Sequence, residues 1–347
     1  MSGLVVQFLP RLDSYGVASH ASKLAQALET SAGIRSQFVV AQSSESLNGR
    51  QPDSVTLRNL GDREVADVLA RFDGAPVLMH YSNYGYAKRG NPGWLIRGIE
   101  RWQRQSGAGR LVTVFHELYA TGMPWQSSFW LSPVQRHLAA RLHRVSGGGV
   151  VTSLERYAQV LRSWKEVDSL AILPVFSTIG EPIAPPALVS RRRRLVVFGS
   201  PGLRARAYAA GGAALARACA SLCIDEVVDV GPSQVAPPTV NKVPVLALGR
   251  QPSNAVSELL ADSVAGYLHY PHDYLPKSTV FAAYSAHRLV PVCTWSTPRS
   301  QSAERFPCWD TGGSETSDWQ QLADRAHAWY QGHSLERHAS LYQGLLQ

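Results

Sequence analysis

Short apolar runs separated by stretches of helical periodicity recur along this chain, and the alternation starts twice. In the first half 4–9, 36–41, 55–57, 76–80, 110–116 and 150–152 read as strands, with helices over 16–28, 63–72, 93–105, 133–145 and 153–164. A Pro-rich extended stretch, 173–186, interrupts the series. It resumes with a strand at 194–198, a helix over 208–223, strands at 226–230 and 243–248, a helix over 253–261 and a strand at 264–269. Another strand starts at Val290-Pro291-Val292, and 317–346 reads as helical. Runs without polar alternation mark strands buried on both faces, and their alternation with helices is the pattern of βαβ units around a parallel sheet. The chain has 347 residues, beyond the ~250–300 at which single cores stop growing. The pattern therefore predicts two α/β domains, 1–175 and 190–315, followed by a C-terminal helical segment, 316–347.

Charge and cysteine content narrow the functional classes. The formal net charge is +8, with 45% hydrophobic and 17% charged residues, the balance of an ordinary globular protein with an affinity for anions. No apolar run reaches the ~20 residues of a membrane span. The N-terminus lacks a basic region followed by an apolar one, so a cytoplasmic location is expected. Only 191–194 concentrates arginine, and it reads as a solvated linker, with an anion-binding role as the alternative. Interleaved aromatics of a nucleic-acid module are absent from that run, so no nucleic-acid partner is expected. Cys219, Cys223, Cys293 and Cys308 lack zinc-ligand spacing and read as reduced thiols, the first two on one helix face.

Polar clusters follow several strands, where parallel sheets bind ligands. After the first strand come Asp13, Ser14, Gly16 and His20, with Gly16 opening a helix whose amides can face an anion. The spacing is not GxGxxG, which disfavours a nicotinamide cofactor. His116-Glu117 ends the strand over 110–116, where His116 suits a sugar hydroxyl or a base role. The loop from His80 to Gly90 carries Tyr84, Tyr86, Lys88 and Arg89, groups that suit a polyhydroxylated or anionic acceptor. The insert 119–130 adds Trp125, Phe129 and Trp130, which read as a substrate lid, a membrane contact or interdomain packing.

In the second half Gly199-Ser200-Pro201-Gly202 makes a tight loop followed by Arg204 and Arg206, one of which suits a diphosphate clamp. Gly249-Arg250 ends a strand whose backbone can read a nucleotide base. Beyond Tyr270-Pro271, Asp273, Lys277, Ser278 and Thr279 lead into a helix N-terminus, a combination that can hold a leaving diphosphate.

Taken in order, these markers resemble the GT-B glycosyltransferases, in particular the retaining family that builds bacterial surface polysaccharides (glycosyltransferase family 4-like). They are the Gly16 loop-helix, the His116 strand end, the hinge-like 174–180, Leu248-Gly249, Leu260-Ala261-Asp262, Tyr270-Pro271 and Pro291-Val292. The resemblance implies an α/β GT-B fold, two Rossmann-like domains facing a central cleft, with the last helix crossing back to the first domain. It implies metal-independent sugar transfer from a nucleoside-diphosphate sugar, UDP or GDP, to a glycan or lipid-linked acceptor, with no cofactor; the basic charge and the aromatic insert add an expected peripheral contact with the inner face of the membrane.

Within it His116, Lys277 and Arg204 are the catalytic candidates. Gly16, Gly199, Ser200, Arg204, Arg206, Gly249, Arg250, Tyr270, Asp273, Lys277, Ser278 and Thr279 would contact the donor. Asp13, His20, Tyr84, Tyr86, Lys88, Arg89, His116, Glu117 and Trp125 would contact the acceptor. One departure is plain. The family usually carries two glutamates eight positions apart before the Pro-Val strand, and the corresponding positions here are Pro276 and Tyr284. Asp273 is a candidate substitute for the first, and Lys277-Ser278 a phosphate anchor of this chain's own. A degenerate GT-B protein that binds glycan or a partner enzyme, and a sugar-nucleotide epimerase, are the alternative readings.

Overall fold

The computed structural model describes residues 3–12, 16–42, 54–121, 125, 127–165, 169–295, 306–311 and 318–347. They fall into two compact units, Met1–Pro174 with Leu335–Gln347, and Val175–Ser334. The first unit contains β1 (Leu4–Leu9), α1 (Gly16–Ala32), β2 (Arg35–Val40), β3 (Ser54–Thr56), α2 (Asp62–Ala70), β4 (Val77–Tyr81) and α3 (Asn83–Tyr86). It continues through α4 (Gly93–Gln103), β5 (Leu111–Phe115), α5 (Ser127–Val145), β6 (Gly149–Thr152), α6 (Glu155–Trp164) and β7 (Leu170–Ile172). The second contains β8 (Arg192–Phe198), α7 (Pro201–Ala209), α8 (Gly212–Ser221), β9 (Glu226–Val230), β10 (Thr239–Val240) and β11 (Val243–Gly249). It ends with α9 (Ser253–Ala261), β12 (Ser263–His269), α10 (Thr279–Ala286), β13 (Val290–Thr294) and α11 (Trp319–Gln331), after which α12 (Leu335–Leu346) belongs to the first unit and packs on α1.

Each unit is a doubly wound sheet. The first runs β3-β2-β1-β4-β5-β6-β7, all parallel. The second runs β10-β11-β9-β8-β12-β13, parallel except for β10. Every residue of β4, β5, β12 and β13 is buried, as uninterrupted apolar runs require. In both sheets the chain first winds outward from the opening strand and then resumes on its other side. That reversal leaves a crevice at the carboxyl ends of β1 and β4 in one unit and of β8 and β12 in the other.

Four local expectations change. The helix expected from Pro133 starts at Ser127 and carries Pro133 in its second turn, where the missing amide forgoes one ladder bond near the helix start. The helix expected over 208–223 is two, meeting at Gly211, whose amide donates to Arg206 O at 3.0 Å and whose carbonyl accepts both the Leu215 amide that opens α8 and the Tyr267 hydroxyl, each at 2.8 Å. Cys223 then lies beyond α8, exposed and at φ +50°, while burial pushes the Cys219 thiol up to about 11. Likewise the helical segment over 317–346 breaks after Gly332, whose amide caps α11.

The arginine run is not a solvated linker. Arg191 donates to Pro186 O and Ser263 O, and Arg194 pairs with Glu226 and Asp262. Both are buried, and burial lowers the Arg191 guanidinium to about 10. The run anchors the start of β8, because guanidinium groups entering a sheet must find acceptors.

Candidate functional site

At the β1/β4 crevice of the first unit, polar residues interrupt otherwise apolar strands. Gln7 of β1 and His80 of β4 are fully buried. The Gln7 amide donates to Ser36 Oγ at 2.9 Å, which leaves its oxygen to accept from His80 Nε2 at 3.0 Å. His80 Nδ1 is then an acceptor, and His116 Nε2 lies 3.1 Å from it. The hydrogen-bond order therefore places the His116 proton on Nε2 and leaves Nδ1 as an acceptor. His116 follows β5 directly and its amide donates to Tyr81 O at 3.0 Å.

His20 of α1 and His338 of α12 complete a ring cluster. The His20 ring centroid is 6.0 Å from that of His80, 5.5 Å from His116 and 5.7 Å from His338. Burial holds His20 and His80 well below the ordinary imidazole range, reinforced by neighbouring imidazoles. Burial also brings His338 down to about 4, although its Nε2 sits 2.8 Å from Pro174 O. Among the described residues no group of His, Cys, Asp and Glu has the geometry of a metal site.

The loops beside this cluster are organised by a residue that gives no sequence signal, Gln135 of α5. Its oxygen accepts from Asn83 Nδ2 (3.0 Å) and the Ala120 amide (2.8 Å), and its nitrogen donates to Arg89 O (2.9 Å) and Tyr84 Oη (3.2 Å). Tyr84, Lys88 and Arg89 are thereby held with exposed side chains. Glu117 is half-buried and accepts from Ser82 Oγ at 3.2 Å, and Trp125 is 77% exposed. Tyr86 differs from the expectation. Its hydroxyl donates inward, 3.0 Å from His80 O and 3.2 Å from Phe8 O, and the ring is core. Gly16 opens α1 at φ +59°, and Asp13 lies outside the described residues.

At the β8/β12 crevice of the second unit, Gly199 and Ser200 end β8 and open α7, with Ser200 Oγ accepting from the Leu203 amide. The loop lies against α10, since a side chain added at Gly199 would sit 3.4 Å from Val280. Ser278 caps α10 by accepting from the Phe281 amide at 3.2 Å, and Thr279 is the first residue of that helix. Lys277 closes a 3-10 turn, His272–Lys277, with its ammonium 5.7 Å from the Tyr274 ring centre. Asp273 is exposed on the same turn, and the Tyr270 amide donates to Thr294 O. Gly249 (φ +65°) and Arg250 terminate β11, both exposed.

The two arginines of the Gly199 loop separate. Arg204 is fully buried and is not a diphosphate clamp. Its donors go to Asp229, Gly199 O (3.1 Å), Pro232 O and Ser233 O (2.8 Å). Tyr208 also donates to Asp229 at 2.9 Å. Burial pushes the Asp229 carboxyl upward, opposed by the Tyr208 hydrogen bond and the Arg204 charge. Gly231 is required there, because a Cβ would meet Gly199 O at 2.4 Å and Arg204 Nε at 2.5 Å. Arg206 is exposed, and its charge helps burial hold His269, at the end of β12, below the ordinary range. The glutamate positions of the resembled family are core as well. Pro276 is buried, and the Tyr284 hydroxyl donates to Val196 O (2.9 Å) and Tyr267 O (3.1 Å).

No family model matches the sequence, and no curated protein matches it. Solved structures do. An α-glucosyltransferase in complex with UDP and a 13-mer DNA is 11% identical with a TM-score of 0.58, covering 100% of each chain. The α,α-trehalose 6-phosphate synthase from Burkholderia multivorans is 14% identical with a TM-score of 0.57, covering 100% of this chain and 98% of its own. TarM is 7% identical with a TM-score of 0.61, covering 100% and 99%. The fold is GT-B. Both GT-B units carry their polar clusters where the strand order reverses, and at these identities the likeness extends to the fold alone.

Proposed function

We propose that this chain is a glycosyltransferase that moves a sugar, with retention and without a metal, from a UDP- or GDP-sugar to a glycan or lipid-linked acceptor of surface-polysaccharide synthesis. The observation that carries the reading is the β8/β12 crevice, where the Gly199 loop, the Ser278-capped start of α10 and Lys277 meet at a strand reversal. Amides at the starts of α7 and α10 are donors for a diphosphate, and the Lys277 ammonium stabilises charge developing on the leaving phosphate. Arg206, rather than Arg204, is the arginine available to that crevice. In the first unit His116, at the end of β5, orients a sugar hydroxyl, and Tyr84, Lys88 and Arg89 surround the acceptor. The UDP bound by the similar α-glucosyltransferase supports a nucleotide donor.

Turnover tests this. Purified protein supplied with UDP- or GDP-sugars and an acceptor extract should release nucleoside diphosphate and form a glycosylated product. Lys277→Ala should lower that rate on the order of 10²-fold, the size of effect seen when one preorganised oxyanion donor is lost. An unchanged rate in Lys277→Ala would remove Lys277 from the mechanism, and no release with any donor would favour a binding protein built on the same fold.

A further inference from the structure

A recess of about 740 Å³ opens on the first unit, beside the first turns of α5. Tyr119, Phe129, Trp130 and Trp164 give it apolar walls, and Arg136 and His137 supply its polar side. Around it the surface is aromatic and exposed, with Trp125 at 77% and Trp130 at 72%, and Val134 exposed one turn beyond Trp130 on the same helix face. Trp130 stands edge-on to Phe129, with ring centroids 5.4 Å apart, and still keeps most of its surface open, and an apolar patch of this kind marks an interaction surface.

The charge around the recess selects the partner. No Asp or Glu occurs between Leu118 and Leu154, nor between Gly74 and Ile99, whereas these segments carry Lys88, Arg89, Arg97, Arg136, Arg141 and Arg144. Arg141 is neutralised by Glu100, Nε to Oε1 at 2.8 Å, but Lys88, Arg89, Arg136 and Arg144 are exposed. The Gln135 bond to Arg89 O holds the loop carrying Lys88 and Arg89 against α5. Indole rings beside an excess of cations are the chemistry of a water–bilayer interface, where the ring is half apolar and the basic groups meet lipid phosphates.

We infer that this surface docks on an anionic lipid bilayer, with Trp125 and Trp130 at headgroup depth, Arg136 on a lipid phosphate, and the recess accepting apolar chain. The inference deepens the transfer reading by giving a lipid-linked acceptor its place of delivery. Docking needs no nucleotide, so it can fail or hold independently of that reading.

The test is co-sedimentation of the full chain with phosphatidylcholine vesicles, with vesicles also containing phosphatidylglycerol, and separately a gel shift with a short DNA duplex. Retention on the anionic vesicles alone, lost at high salt and accompanied by a blue shift of tryptophan emission, is the expected result. Arg136→Ala should weaken partition roughly fivefold, the contribution of one cation at an anionic surface. Trp125→Ser with Trp130→Ser should weaken it at least about tenfold, as lost aromatic burial requires. Both variants should unfold at the temperature of the parent. Absence of retention, unchanged partition in both variants, or tighter binding of the duplex than of anionic vesicles would overturn the inference.

Discussion

The two arginines at 204 and 206 differ by two positions on one helix and have opposite fates. Arg204 turns into the unit and ties Asp229 to the loops at 199 and 232–233, so its removal would strand a buried carboxylate and several carbonyls. Breaking a buried pair by deleting one partner costs about 3–5 kcal/mol. Arg204→Ala should therefore lower the unfolding free energy by that amount, seen as a fall in the denaturant midpoint, and adding Asp229→Ala should recover part of the loss. A midpoint equal to that of the parent would mean that Arg204 is free for ligand after all. At this scale the sequence is least legible. Arg204, Tyr86 and Lys277 all follow strand ends and look alike as letters, but the first two find backbone acceptors inside the fold. Gln135 was invisible because a glutamine in a helix pattern is indistinguishable from a solvated one. Gln7 and His80, by contrast, could have been found as polar interruptions of buried strands, which must have partners.

At the scale of elements, the histidine cluster joins β1, β4, α1 and α12 with the residue that follows β5, and it makes their packing sensitive to acid. The folded state holds His338 at about 4 against an ordinary 6.5, and His20 and His80 are lowered in the same direction. Above pH 6.5 these rings are neutral whether the chain is folded or not. Below it the unfolded chain binds protons that the folded chain refuses, so stability falls as pH drops towards 4, by up to ~1.4 kcal/mol per pH unit per histidine. Glu100 and Asp324, held low by hydrogen bonds from Arg141 and Arg288, add a loss of the same sign at still lower pH. The melting temperature should thus decline steadily between pH 6.5 and about 4. His338→Leu should show a shallower decline, and an identical slope would remove His338 from this account. The elements themselves were largely legible, because strands buried on both faces leave runs that only β4- and β5-like segments produce. Their interruptions were not. The division at Gly211 falls where the backbone meets the hydroxyl of Tyr267, a residue 56 positions away.

For the whole molecule, the sheet order matters more than any single motif. Two sheets reverse at their opening strands, and polar residues gather at both reversals, although the chain has no paired glutamates before β13. Tyr284 fills the core where one of them would stand. On the proposed reading the second unit nevertheless binds a nucleoside diphosphate through Lys277 and the starts of α7 and α10. Thermal unfolding of the parent and of Lys277→Ala in UDP, GDP, ADP, CMP and dTDP tests it most directly. A ligand at 100 times its Kd stabilises the folded state by ~2.7 kcal/mol. A selective rise in melting temperature with UDP or GDP, lost in Lys277→Ala, is the expected result. No rise with any nucleotide, or the same rise in both proteins, would contradict it.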